Sequence, residues 1–196
     1  MKISASVQAA NQLNLLHEIN NNSDKFDQLH IDITDGHFTN NIGLSLDIVP
    51  LLKKHTDYKI DVHLMLETNA MYVDKVIDSG ADIVTVHCES TDLDEFKLIT
   101  NNYDNIGIGI LPTTKMEVLK PYADFTSTFL LLTVNPGFSN QPKAVNLVDR
   151  VNEFNNVITE KSNTLIIDGG VTSKDLQSLE DNGVDIAVQG GAIFGR

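Results

Sequence analysis

The segment His30-Ile31-Asp32-Ile33-Thr34-Asp35-Gly36-His37 alternates polar and apolar side chains up to a glycine. A period of two marks a β-strand, in which successive side chains point to opposite faces. Most strands of this kind keep the polar face in water. Here that face carries an imidazole and a carboxylate two residues apart, in a chain whose other strand-like runs read as a buried sheet, so the polar face needs an inward destination.

Moving outward from this segment, eight strand-like runs recur: Lys2–Val7, Gln28–Thr34, Lys59–Leu66, Ile83–Cys88, Ile106–Leu111, Phe129–Val134, Thr164–Asp168 and Ile186–Gln189. Helix-like patterns lie between them, such as Ser45–Lys54, with Leu46, Ile48, Val49, Leu51 and Leu52 apolar, and Ala144–Ile158, with Val145, Leu147, Val148, Val151 and Val157 apolar. Thr91-Asp92 lead into Leu93–Thr100, and Thr172-Ser173 into Lys174–Leu179, as helix-opening residues do. Strict β-α alternation implies parallel pairing, and eight such strands predict closure into an α/β fold of the (β/α)8 TIM-barrel type. The 196 residues, 41% of them hydrophobic, suffice for one sizeable core, and residues 1–196 are expected to form a single domain. Beyond the eighth strand only Gly190–Arg196 remain, short of a covering helix of about ten residues. The last helix is therefore expected to be missing or truncated. Ile3, Val7, Ile186 and Val188 are then expected to lie on uncovered strand faces, which favours association into a homo-oligomer.

A formal net charge of −13 and a pI near 4.6 argue against nucleic acid or an anionic membrane as partner, since the long-range field repels both. A small anionic substrate would need local donors. The single cysteine, Cys88, excludes an internal disulfide and reads as a free buried thiol in a reducing compartment. No apolar run approaches the roughly 20 residues of a membrane span, and the Met1-Lys2-Ile3-Ser4 start lacks a signal peptide's hydrophobic region, so a cytoplasmic location is expected.

In such a barrel the active site lies at the C-terminal ends of the strands. The period of two places His30 with Asp32, and Asp61 with His63, on the inward face, while Ile31, Ile33, Val62, Leu64 and Leu66 face the helices. The third strand also carries Met65, and the seventh ends at Asp168 before Gly169-Gly170. Two nitrogen and two oxygen ligands at one mouth suit Zn²⁺, Mn²⁺ or Fe²⁺ better than Ca²⁺, which prefers all-oxygen shells. A lone histidine at a strand end is more often structural, and a lone Asp before Gly-Gly is more often a turn former. Several buried polar groups converging without a ligand are costly, however. His37 lies past the strand and reads as solvated; His87 and Glu89 face the same mouth from the fourth strand. Gly169-Gly170 and Gly190-Gly191 follow strands seven and eight, where barrels commonly hold a phosphoryl group on backbone N–H donors.

Five ordered segments carry a family resemblance: His30-Ile-Asp-Ile-Thr-Asp-Gly-His-Phe38, Asp61-Val-His-Leu-Met65, Thr133-Val-Asn-Pro-Gly-Phe138, Ile167-Asp-Gly-Gly170 and Val188-Gln-Gly-Gly-Ala-Ile-Phe194. Together they resemble the signature segments of the ribulose-phosphate 3-epimerases, in order from Ile3-Ser-Ala-Ser6 to Phe194. The resemblance implies a metal-dependent epimerase of the pentose phosphate pathway that interconverts D-ribulose 5-phosphate and D-xylulose 5-phosphate by inverting C3. It implies one divalent ion (Zn²⁺, Mn²⁺, Fe²⁺ or Co²⁺) on His30, Asp32, His63 and Asp168, with Asp32 and Asp168 also as the acid/base pair. Ser6, His63, Met65, Gly137, Gly170, Gly190 and Gly191 would contact the substrate or its phosphate, with Gly169 adjoining.

There are departures from that pattern. Thr34 and Leu132 stand where the family usually has Met, Ala5 and Asn40 where it has Pro, Ser139-Asn140 where it has Gly-Gly, and Gly191 where it has Ser. These positions leave room for a six-carbon substrate such as D-allulose 6-phosphate, or for a sugar-phosphate-binding relative with weakened catalysis. A lyase or decarboxylase of the same barrel type would show Asp-x-Lys-x-x-Asp; the matching stretch Asp32-Ile-Thr-Asp35 has no lysine.

Overall fold

The computed structural model describes residues 1–138, 141–159 and 162–195. Eight parallel strands, β1 (Lys2–Ser6), β2 (Gln28–Thr34), β3 (Lys59–Met65), β4 (Ile83–His87), β5 (Ile106–Ile110), β6 (Thr128–Leu132), β7 (Thr164–Asp168) and β8 (Ile186–Gln189), pair in chain order, and β8 returns to β1. The barrel is closed, as the alternation predicts. Around it run α1 (Leu15–Asn21), α2 (Ile48–His55), α3 (Ala70–Asp78), α4 (Leu93–Thr100), α5 (Leu147–Val157), α6 (Leu176–Asp181) and the single turn α7 (Gly191–Phe194). Between β5 and β6 the chain forms a 3-10 segment, Met116–Tyr122, containing Pro121, which has no N–H to give to an α-helical ladder.

Side-chain oxygens cap the starts of two helices. Asn146 accepts from Asp149 N ahead of α5, and Asp92 accepts from Glu95 N ahead of α4. Leu147, Val151 and Phe154 then recur on one face of α5, buried against the barrel. Three helices begin later than their apolar patterns suggest, α5 at Leu147 behind its Asn146 cap rather than at Ala144. Ser45 and Leu46 form a turn whose carbonyls accept from Ile48 and Val49, and Asp175 closes a turn on Thr172, so α2 starts at Ile48 and α6 at Leu176.

Inside the barrel the two halves differ in chemistry. From β1 to β4 the inward side chains are Ser4, Ser6, Gln28, His30, Asp32, Thr34, Asp61, His63, Thr85 and His87, all buried. From β6 to β8 they are mostly apolar, Asp168 at the end of β7 aside: Leu130, Leu132, Ile166, Ile186 and Val188 pack with Met65 and Val134. Gly107 and Gly109 on β5 separate the halves. A Cβ on Gly109 would lie 3.2 Å from His87 Nε2. Ile31, Ile33, Val62, Leu64 and Leu66 belong to the outer core between strands and helices, as expected. The reading of Ile186 and Val188 as uncovered outer residues is incorrect, because both point into the barrel; Ala187 holds the outer position between them. Val7 is fully buried in the outer core, and Ile3 is half-buried against it. These four residues form no exposed apolar face.

At the opposite end from the site, one device recurs three times. The carboxylates of Asp27, Asp82 and Asp185, each just before or at the start of the next strand, accept from the backbone N of Ile3, Ile60 and Leu165, each at 2.8 Å. The N–H of each aspartate donates back to the carbonyl of the same residue. Both backbone groups at the start of β1, β3 and β7 are thereby satisfied, as buried sheet ends require.

Candidate metal centre and substrate cleft

The β2–β3 register sets His30 beside Asp61 and Asp32 beside His63, and Asp168 reaches the same point from β7. One ligand atom from each of His30, Asp32, His63 and Asp168 lies within 4.8 Å of the other three. His30 Nε2 is 3.3 Å from Asp32 Oδ1 and 3.5 Å from Asp168 Oδ2; His63 Nδ1 is 3.2 Å from Asp32 Oδ1 and 3.3 Å from Asp168 Oδ2. A tetrahedral ion with bonds of about 2.0 Å has ligand–ligand edges of about 3.3 Å, close to these four His–Asp separations.

The donor set also fits a cation by its electrostatics. His30 Nε2 is buried with no hydrogen-bond partner, although two carboxylates flank it. Burial disfavours a charged imidazole, yet the carboxylates of Asp61, Asp32 and Asp168 outweigh that and raise the His30 pKa well above the ordinary range. His63 is raised in the same way, by Asp168 and Asp32 against its burial. Burial alone would raise the carboxyls of Asp32 and Asp168, but His30 and then His63 hold both below the ordinary carboxylate range. Each shift reports a point in the barrel that stabilises positive charge. The four residues fit a divalent metal site.

Surrounding groups fix these ligands. Asp61 Oδ2 is 2.8 Å from His30 Nδ1, and Ser6 Oγ donates to Asp32 Oδ2 at 2.9 Å. His63 Nε2 lies 2.7 Å from His87 Nε2, and His87 Nδ1 lies 2.9 Å from Glu89 Oε2. The rings of His63 and His87 stack at 5.0 Å. Burial lowers the His87 pKa, and the nearby His63 lowers it further. Burial pushes Glu89 up, but its bond to His87 prevails and holds it down at about 2. Asp61 and the His87–Glu89 pair thus hold ligands without being ligands. Sequence reading placed them at the mouth without that role, because the role depends on which strand lies next to which.

A cleft opens above the centre. Asp32, Asp168, Met65, Leu132, Val134 and Val188 form its floor, and Gly169, Gly170, Gly190, Gly191, Ser6 and Gln8 line one end. Pro136, Gly137 and Phe138 form a wall. Every substrate residue expected from the sequence except the buried His63 lines this cleft. Gly137 and Gly170 have φ of +111° and +65°, conformations that favour glycine. Thr34, expected to alter the pocket, is not on the cleft wall; it is buried, and a Cβ on Gly43 would come within 2.7 Å of its Oγ1. His37 is exposed, as expected. Burial pushes the Cys88 thiol up, and Cys88 packs against the outer core. Thr172 N, one of the backbone donors after β7, is used by Asp175, which also binds Lys143 at 2.8 Å. Ser139-Asn140 lie outside the described residues. Among the described residues no helix is long and apolar enough to cross a membrane.

A parallel barrel with two histidines and two aspartates converging at its C-terminal mouth, beside a glycine-lined cleft, defines a metal-binding (β/α)8 class. The profile of the ribulose-phosphate 3 epimerase family matches residues 2–194, and the chain belongs to that family. Curated ribulose-phosphate 3-epimerases are similar over most of the chain. That of Bacillus subtilis is 32% identical over 87% of this chain and 81% of its own length; that of Treponema pallidum is 31% identical over 85% and 78%. The Helicobacter pylori enzyme is 30% identical over 99% and 91%. Among solved structures, 3-hexulose-6-phosphate synthase from Salmonella typhimurium superposes with a TM-score of 0.77 at 13% identity, covering 100% of this chain and 92% of that one. A tryptophan synthase alpha-subunit from Pyrococcus furiosus gives 0.68 at 14%, covering 98% and 87%. These two share the fold.

Proposed function

We propose that the protein inverts C3 of a ketose phosphate, converting D-ribulose 5-phosphate to D-xylulose 5-phosphate. The observation that carries this reading is the convergence of Asp32 and Asp168, from nearly opposite strands of the barrel, on one point beneath a glycine-lined cleft. Inverting a carbon acidified by its neighbouring carbonyl needs one base to remove the proton and an acid elsewhere to return one. Binding alone would not require both carboxylates.

His30, Asp32, His63 and Asp168 would hold Zn²⁺, Mn²⁺, Fe²⁺ or Co²⁺. A divalent ion held there supplies Lewis-acid stabilisation of the negative charge that develops on the substrate oxygens. The chain's own residues divide the remaining work. Ser6 donates to Asp32 and keeps that carboxylate anionic and oriented. Asp32 and Asp168 would form the acid/base pair, one removing the proton as the other returns one, with the roles exchanged in the reverse direction. Met65, Leu132 and Val188 exclude water over the planar intermediate. Ser6, Gly137, Gly170, Gly190 and Gly191 would contact the substrate, the glycines after β7 and β8 offering backbone donors to its phosphate.

The test is proton NMR of D-ribulose 5-phosphate in D₂O with the metal-loaded protein. Deuterium entering at C3 together with appearance of D-xylulose 5-phosphate is the expected result, and D-allulose 6-phosphate run in parallel ranks five- against six-carbon substrates. No C3 exchange in either sugar with any of the four metals would reject the reaction.

A further inference from the structure

The two histidines of the metal centre present different nitrogens to it, Nε2 from His30 and Nδ1 from His63. A neutral imidazole carries one N–H and one lone pair, so each ring needs a partner on its far side that fixes the proton there. For His30 that partner is the carboxylate of Asp61. For His63 it is another imidazole, and the proton position must be set from further away.

Donor and acceptor chemistry settles the chain. Leu111 N can only donate, so Glu89 Oε1, at 2.8 Å, accepts. The same carboxylate, acceptor-only when ionised, takes the Nδ1–H of His87 through Oε2. A neutral His87 with its proton on Nδ1 has a lone pair on Nε2. At 2.7 Å from His63 Nε2 that lone pair requires an N–H in return. His63 then has its lone pair on Nδ1, between Asp32 and Asp168. His87 has no freedom to turn: it is fully buried, stacked on His63, tilted against Phe38 at 5.0 Å and packed over Gly109.

We propose that Glu89, acting through His87, sets the tautomer of His63 and thereby its capacity to hold a divalent cation through Nδ1. Both are positioning residues; neither touches the cation. The inference rests on the metal reading of the four-residue centre but not on which sugar is turned over. Outer partners of this kind are typically worth ten- to a hundredfold in metal affinity.

The experiment is competition for Zn²⁺ between the full-length protein and a chromophoric chelator, with wild type, Glu89→Gln, His87→Phe and His87→Gln. Glu89→Gln and His87→Phe are expected to bind about ten- to a hundredfold more weakly. His87→Gln, whose amide oxygen can again accept from His63, is expected to recover most of the loss, which a merely space-filling role for His87 would not produce. Folded Glu89→Gln and His87→Phe proteins with wild-type affinity would overturn the proposal. Long-range ¹H–¹⁵N correlation spectra of the wild-type Zn²⁺ form give a readout independent of variant folding. A proton on His63 Nε2 supports the relay, and one on Nδ1 overturns it. If wild type binds none of the divalent ions, the metal reading itself falls, whereas normal binding with no C3 exchange rejects only the reaction.

Discussion

His30 Nδ1 and Asp61 Oδ2, on directly paired positions of β2 and β3, lie 2.8 Å apart with both side chains buried. Because Asp61 is the immediate partner, its effect on the metal centre is separable from that of the longer His87–Glu89 chain. Asp61→Asn keeps the shape but offers an amide in place of the carboxylate. Zn²⁺ affinity measured against a chelator is expected to fall about ten- to a hundredfold; an unchanged affinity in a folded variant would show that the contact does not orient His30.

Asp168→Asn and Asp32→Asn each remove one end of the proton transfer. Turnover of D-ribulose 5-phosphate is expected to drop by about 10²–10⁴ for each. A folded Asp168→Asn protein that keeps more than a tenth of wild-type turnover would rule out the two-carboxylate scheme.

Gly137 sits on the cleft wall at φ +111°, where a Cβ would collide with Thr39 Oγ1, a hydroxyl that donates to Pro136 O. Gly137→Ala therefore strains the backbone by about 1–3 kcal/mol or breaks the tie between the loops after β2 and β6. A raised KM, with a fall in Tm of about 2–12 °C if the strain is retained, is the expected pattern. Unchanged KM would mean that this wall does not shape the substrate site.

Asp82 accepts from Ile60 N and pairs with Lys53 at 2.8 Å. Burial alone would raise its carboxyl, but the bond from Lys53 and then that from Ile60 hold it below the ordinary range. A lowered folded-state pKa adds stability above the unfolded value of about 3.9, and that stability is lost as pH falls through the lowered value. Asp82→Ala is thus expected to cost about 1–2 kcal/mol in denaturant unfolding at pH 7. The penalty should shrink once pH falls below the unfolded value of about 3.9 and through the lowered folded value, as the wild-type carboxylate becomes protonated. An equal penalty at both pH values would show that its charge contributes nothing.

The eight strands are readable from sequence to within two residues at either end because short aliphatic runs admit few other structures. His30, Asp32, Asp61, His63 and Asp168 are conspicuous as polar residues of a buried sheet, and the family resemblance selects four of them as ligands. What escaped notice has physical reasons. Strands of a parallel sheet buried on both sides are apolar on both faces, so nothing in Ile186-Ala187-Val188 marks which residues point inward. The half of the barrel interior that is apolar was invisible for that reason. The local pattern puts Asp61, His87 and Glu89 at the mouth, but their roles in holding the ligands arise only once β3 lies between β2 and β4. The start of α6 is fixed by the carboxylate of Asp175, which prevails over the weaker opening signal of Thr172-Ser173.

The three aspartates at the far end of the barrel bear on all of this. Asp27, Asp82 and Asp185 each tie the start of one strand to the chain entering the next, for the pairs β1–β2, β3–β4 and β7–β8. Slipping a strand by one residue would turn its inward side chains outward. In this barrel such a slip in β2 would send His30 and Asp32 into the helices, and in β7 it would withdraw Asp168. Each aspartate makes the slipped alignment forfeit a carboxylate–amide bond, so the geometry of the mouth is enforced from a strand's length away, by residues that a survey of the active site would never include.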